Sequence, residues 1–229
     1  MTTLNPPVEI PEEGRRIAFV GKGGTGKSTI IAHLLRYWKD AGINASAMDA
    51  DDPGDDEKGS LLNWSEEADL GGPVYPAPNR AKVRERLIAY TPKGGVMAVD
   101  TGAWVKRAGN MQFAVLSGVD LVVLTLPPTP MELERAGSVL AALDHLEEVG
   151  AHSPRLVIAL TLTNPSAKAA DENDRDLTDV GFKVLRTRIP RSDAQDGYGQ
   201  AYGKRPRLVP GSPMALLSEE LLREAVALA

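Results

Sequence analysis

No cysteine occurs in the 229 residues, which excludes disulfides, thiolate zinc sites, iron–sulfur clusters and cysteine nucleophiles. Histidines number three, His33, His145 and His152, and none stands at metal-ligand spacing, so a histidine-built metal site is not expected. Aromatic residues make up 5%, too few to build stacking platforms for single-stranded nucleic acid. The longest apolar runs are strand-sized, such as Leu156-Val157-Ile158-Ala159-Leu160, and no helix is expected to span a membrane. The stretch from Met1 to Glu13 has neither a basic region nor an apolar core and does not read as a signal peptide. A cytoplasmic location is the expectation.

What is present is ordinary in bulk and uneven in detail. Net charge is −5, yet residues 80–107 carry seven Lys/Arg against two acids, and residues 183–207 repeat that count. Two basic stretches on an acidic body suit either a local anion-binding face or two solvated helix faces. Residues 1–14 read as a flexible arm, and 15–229 as one α/β domain. Its strands are expected at Arg16–Val20, Ala45–Met48, Val96–Val99, Leu121–Leu126, Leu156–Leu162 and Lys183–Arg188. Helical patterns fall between them, from Lys27 to about Ala41 and at about 80–90, 131–148 and 167–179, with Leu216–Ala227 closing the chain. Strands alternating with helices predict a mostly parallel twisted sheet with helices on both faces.

Gly21-Lys22-Gly23-Gly24-Thr25-Gly26-Lys27-Ser28 matches the phosphate-loop pattern G-x-x-x-x-G-K-[ST], between an apolar strand and an amphipathic helix. Glycines let backbone N–H groups converge on phosphate oxygens, and the helix N-terminus adds partial positive charge. Lys27 would reach the β/γ-phosphates and the Ser28 hydroxyl would ligate Mg²⁺. Asp100 follows Val96-Met97-Ala98-Val99, where a Walker-B carboxylate would hold a Mg²⁺-bound water. Asp49-Ala50-Asp51 ends the second strand, expected beside the first at the carboxyl edge of the sheet, where ligands bind. One of these carboxylates could orient water or support the metal. The following Asp52, Asp55, Asp56 and Glu57 suit a solvated loop.

The box Lys22-Gly23-Gly24-Thr25-Gly26-Lys27-Ser28-Thr29 resembles the deviant Walker A motif of the ParA/MinD ATPases, whose mark is the extra lysine, here Lys22. Further segments resemble the partition ParA branch in order: Asp49-Ala50-Asp51, Gly59 through Trp64, Val99-Asp100-Thr101-Gly102, Asp120 through Val123 before Pro127-Pro128, and Val184 through Arg191. The resemblance implies a P-loop ATPase binding ATP or ADP with Mg²⁺ through Gly21, Gly23, Gly24, Thr25, Gly26, Lys27, Ser28 and Thr29. It implies that Lys22 reaches the partner's ATP across a sandwich homodimer and that Asp51 positions the hydrolytic water. Ser28, Asp51 and Asp100 would surround the metal, and Thr163, Ile189 and Pro190 would line the adenine pocket. It further implies non-specific DNA binding, a centromere-binding ParB-like adaptor that stimulates hydrolysis, and association with the nucleoid.

Three departures from the family pattern stand out. The segment after Asp51 is longer and acidic, and Gly102 replaces a proline, which loosens the backbone there. The short arm leaves no room for a helix-turn-helix, so operator-specific autoregulation is not expected. Related readings are a positioning ATPase for a non-DNA cargo, a membrane-positioning ATPase, or a small-molecule ligase or kinase on the same fold. Membrane positioning normally needs a basic amphipathic C-terminal helix, whereas Ser218–Ala229 has three glutamates and one arginine. Lys22 and the Ser60–Trp64 stretch argue against the ligase.

Overall fold

The computed structural model describes residues 8–51, 59–104, 111–194 and 197–227, and only the backbone of 130–136. The first seven residues of the expected arm, the acidic run 52–58, and Lys106 and Arg107 of the first basic stretch lie outside the described residues. Six strands form one sheet: β1 (Arg15–Val20), β2 (Ala45–Ala50), β3 (Val74–Pro76), β4 (Val96–Thr101), β5 (Leu121–Leu126) and β6 (Arg155–Leu160). Their order is β3-β2-β4-β1-β5-β6, with every neighbouring pair parallel. Seven α-helices are described: α1 (Lys27–Asp40), α2 (Ser60–Glu67), α3 (Val83–Tyr90), α4 (Met111–Leu116), α5 (Pro130–Glu148), α6 (Ala169–Asp179) and α7 (Pro213–Val226).

Side chains alternate across a strand, so each strand feeds two cores. Ile17, Phe19, Ala98 and Val123 pack with α1, α2 and α7 through Leu34, Trp38, Trp64 and Leu221. Ala18, Val20, Val99 and Val122 face the other way, onto α3 to α6 through Leu87, Val115, Leu143 and Leu177. All six residues of β4, and all six of β5, are buried, as expected of strands covered on both faces.

Three expectations need correction. β2 does not neighbour β1; β4 lies between them, with Phe19 in register with Asp100 and Asp100 with Asp49. This insertion brings the acids of two strand ends side by side. Lys183–Arg188 forms no strand: a single bridge joins Val184 to Ile158, and Glu220 accepts the N–H groups of Arg186 at 2.7 Å and Thr187 at 2.9 Å. β6 ends at Leu160 because Leu162 turns the chain with φ 53°. Val8 and Ile10 pack against the α1/α7 core and the Gly94 N–H donates to the Glu12 carbonyl. The apolar pair gives residues 8–14 a surface to bury that their three glutamates do not announce.

Candidate nucleotide-binding site

The loop after β1 sits at the carboxyl edge of the sheet between β4 and β5. Gly21 has φ 150°, and a Cβ there would stand 2.5 Å from the Thr125 hydroxyl and 2.7 Å from its carbonyl oxygen. Only glycine lets the loop run this close to β5. The Thr25 hydroxyl lies 2.7 Å from the Thr125 hydroxyl and donates to the Lys22 carbonyl at 3.0 Å, while the Thr125 hydroxyl lies 3.1 Å from the Val20 carbonyl. Thr125 therefore pins the phosphate loop from the neighbouring strand. Sequence reasoning missed it, because a threonine inside an apolar strand carries no motif.

Lys27 opens α1 and is buried, with its ammonium donating to the carbonyls of Gly21 at 3.3 Å and Lys22 at 3.2 Å. Burial lowers its pKa, which Asp100 and Asp51 pull back up. The cation is thus folded onto the rim of its own loop with no carboxylate bonded to it among the described residues, and a phosphate would be a better partner than two carbonyls. Lys22 is exposed on the same loop.

Asp100 is buried at the end of β4 and accepts from the Ser28 hydroxyl at 2.5 Å. Burial raises its pKa to about 7, the Ser28 bond opposes the rise, and Asp49 adds to it. A carboxylate held this way, beside a serine at a helix start, suits Mg²⁺, which takes one or two carboxylates and completes its shell with waters and phosphate oxygens. No cluster of three acidic, histidine or cysteine side chains is arranged around a metal among the described residues.

Asp49 and Asp51 divide the work. Asp49 is buried, and its carboxylate accepts the Leu62 N–H at 2.8 Å and the Asp51 N–H at 3.1 Å. Burial raises its pKa while these bonds lower it. It therefore caps the start of α2, satisfying N–H groups that a helix cannot satisfy itself. Asp51 is exposed and its carboxylate makes no hydrogen bond among the described residues. A Cβ at Gly102 would stand 2.4 Å from Asp51 Oδ1. The glycine that departs from the family's proline thus makes room for this carboxylate.

On the far side of the loop a cavity of about 180 Å³ is lined by Gly24, Thr29, Thr161, Leu162, Ile189 and Pro190, among others. Thr163 is brought beside Pro190 as a bridge partner but does not line the cavity; its hydroxyl donates to the Ile189 carbonyl at 3.3 Å. Two residues nearer β6, Thr161 Oγ1 is the one buried side-chain polar atom without a hydrogen-bond partner among the described residues. A buried hydroxyl left unpaired costs about 1–3 kcal/mol, so it marks a place where a ligand group fits. The spacing of threonines in Leu160-Thr161-Leu162-Thr163 does not distinguish them; the turn at Leu162 does.

The basic stretches are not equivalent. Arg188 is held by Asp171 at 2.5 Å and Asp174 at 2.9 Å, and Lys183 by Glu224. Both are spent within the fold. Arg186, Lys204, Arg205 and Arg207 are exposed and form no ion pair among the described residues.

No protein-family model and no curated protein matches the chain. Solved structures do. Cobyrinic acid a,c-diamide synthase from Mycobacterium smegmatis, with bound ADP and magnesium, superposes with a TM-score of 0.66 at 17% identity, over 91% of this chain and 92% of that one. A plasmid partition protein from Borrelia burgdorferi bound to AMPPNP gives 0.65 at 13%, over 91% and 97%. The cell division ATPase MinD of Pyrococcus furiosus gives 0.62 at 19%, over 94% and 100%. With the phosphate loop, the all-parallel sheet and near-complete coverage agreeing, the chain has the fold of the ParA/MinD-type P-loop ATPases.

Proposed function

We propose that the chain is a Mg²⁺-ATP-dependent DNA partition ATPase that alternates between a monomer and an ATP-sandwich homodimer. The observation that carries this is one loop presenting two lysines, Lys27 turned inward over the loop carbonyls and Lys22 exposed beside it. Lys27 and the N–H groups of Gly23 to Ser28 would hold the phosphates, and Thr161, Ile189 and Pro190 the base. Ser28 and Asp100 would hold Mg²⁺ with Asp51 beside them; the ion's part is to neutralise charge on the β- and γ-phosphate oxygens. Asp51, exposed and with no hydrogen bond to its carboxylate among the described residues, would accept a proton from water and orient it toward the γ-phosphate, while Asp49 keeps α2 in place.

A second lysine is unnecessary for binding by one subunit. Across a two-fold interface it would offset the repulsion between two bound nucleotides. Lys22→Gln should therefore keep ATP binding by the monomer and lose ATP-dependent dimerisation, and with it hydrolysis and DNA retention. Light scattering with a slowly hydrolysed ATP analogue checks this; a variant dimer as tight as wild type would rule out the cross-subunit contact.

DNA would meet the exposed cations Arg186, Lys204, Arg205 and Arg207, with Arg80, Lys82, Arg84 and Arg86 as the other candidate patch. Each lost phosphate contact should flatten the log–log salt dependence of DNA affinity by about 0.9. Neutralising both groups with no change in DNA retention would remove DNA from the reading and leave a positioning ATPase for another cargo. A centromere-binding ParB-like adaptor would stimulate hydrolysis in the partition case.

Two alternatives share the fold. The ligase reading has the synthase neighbour in its favour, and a metabolite-dependent burst of ADP without DNA would favour it. Against membrane positioning, Met214, Leu217, Leu221 and Leu222 turn the apolar side of α7 into the core, and no helix among the described residues is long and apolar enough to cross a membrane.

A further inference from the structure

Beside the α1/α2 pair, next to the nucleotide cavity with which it shares Tyr198, lies a cavity of about 650 Å³, the size of an ordinary small-ligand pocket. Its floor is His33, Tyr198 and Pro206, and its rim carries Lys204, Arg205 and Arg207, with no acidic residue in the lining among the described residues. His33 and Pro206 are buried. His33 is fixed from α1 by the Thr29 carbonyl at 2.7 Å and meets the Tyr198 ring edge-on at 5.4 Å. The rim is held as firmly. The Trp64 indole N–H donates to the Lys204 carbonyl at 2.7 Å, and the Trp64 ring packs on Tyr202 at 5.4 Å.

Most other basic side chains near this level of the fold are compensated: Arg36 by Asp40 and Asp69, Arg188 by Asp171 and Asp174, and Arg191 by Asp193. The three rim cations are not paired among the described residues. Asp40, which feels the charge of Arg205, is already bonded to Arg36. Three like charges gathered on one concave rim repel one another, on a chain whose net charge is −5. An anion entering the rim would offset that repulsion.

We propose that this cavity binds a small polyphosphate, with successive phosphates paired to Lys204, Arg205 and Arg207 above the ring surface of His33 and Tyr198. A convex DNA duplex reaches rim cations but not a floor made by the buried His33 and half-buried Tyr198 rings, whereas a chain of linked phosphates fits the depth. The rim cations do not line the nucleotide cavity, although Tyr198 lines both, and the proposal stands whether or not the partition reading holds, although both use the rim cations.

The test is calorimetric titration of inorganic tripolyphosphate into protein saturated with Mg²⁺-AMPPNP, so that the phosphate loop is filled. One further site per chain is expected, with affinity reduced at least about tenfold in Arg205→Gln/Arg207→Gln, since charge-assisted bonds to phosphate are the strong ones. AMPPNP affinity measured on the same variant separates this site from the loop and should not move. Absence of a second site, or equal tripolyphosphate affinity in the variant, would overturn the proposal. So would a short DNA duplex binding through Arg205 and Arg207 where tripolyphosphate does not, which would give the rim to DNA alone.

Discussion

Lys27→Ala is expected to reduce ATP affinity by about 10²-fold or more while leaving the fold intact. The side chain is buried, yet among the described residues its ammonium bonds only to the carbonyls of Gly21 and Lys22. Bound phosphate would replace these weak partners with charge-assisted bonds of about 1.5–3 kcal/mol each. At about 1.4 kcal/mol per tenfold, losing one or two of them accounts for the effect. The free protein loses little, because burial already disfavours the cation and alanine is the best helix former at the start of α1. Calorimetry with ATP reads the affinity, and thermal unfolding of the nucleotide-free variant reads the fold. An unchanged dissociation constant would sink the phosphate-loop assignment.

Asp51→Ala should lower turnover by roughly 10²-fold or more, the scale of a positioned base, with ATP affinity retained. Its partner in the motif provides the control. Asp49→Ala removes the acceptor for the Leu62 and Asp51 N–H groups, and a lost cap costs about 0.5–2 kcal/mol, so this variant should melt earlier. Single-turnover hydrolysis and thermal melts on both variants separate the roles. Turnover near wild type in Asp51→Ala would move the base to Asp49 or into the acidic run that follows. Gly102→Ala is a milder probe of the same point, since its Cβ would displace the Asp51 carboxylate.

Much of the architecture was legible in the chain. The β1–loop–α1 unit reads directly, because glycine spacing, the lysine and the flanking periodicities are local constraints that no tertiary contact needs to complete. Central strands β4 and β5 are continuous apolar runs for the same reason: burial on both faces leaves no polar alternation. Short elements were harder. β3 is three residues long and α4 six, too short for either periodicity to develop, and Lys183–Arg188 has strand-like residues of which Arg186 and Thr187 give their N–H groups to Glu220 from α7.

The sequence by itself determined that a phosphate loop with two lysines exists, that acids end the strands now β2 and β4, and that no cysteine chemistry is open to this protein. Only the tertiary structure decided which acid is which. Strand order is a non-local property, and placing β4 between β1 and β2 sets Asp100 between Phe19 and Asp49, where it can bond to Ser28. α2 then folds over β2 and occupies the Asp49 carboxylate, leaving Asp51 open. The same holds for the basic residues: Arg188 and Lys204 look alike in the chain, and distant aspartates on α6 neutralise one while nothing among the described residues neutralises the other. Charge in a sequence is a count; whether it is available to a ligand depends on which partners folding brings within about 4 Å.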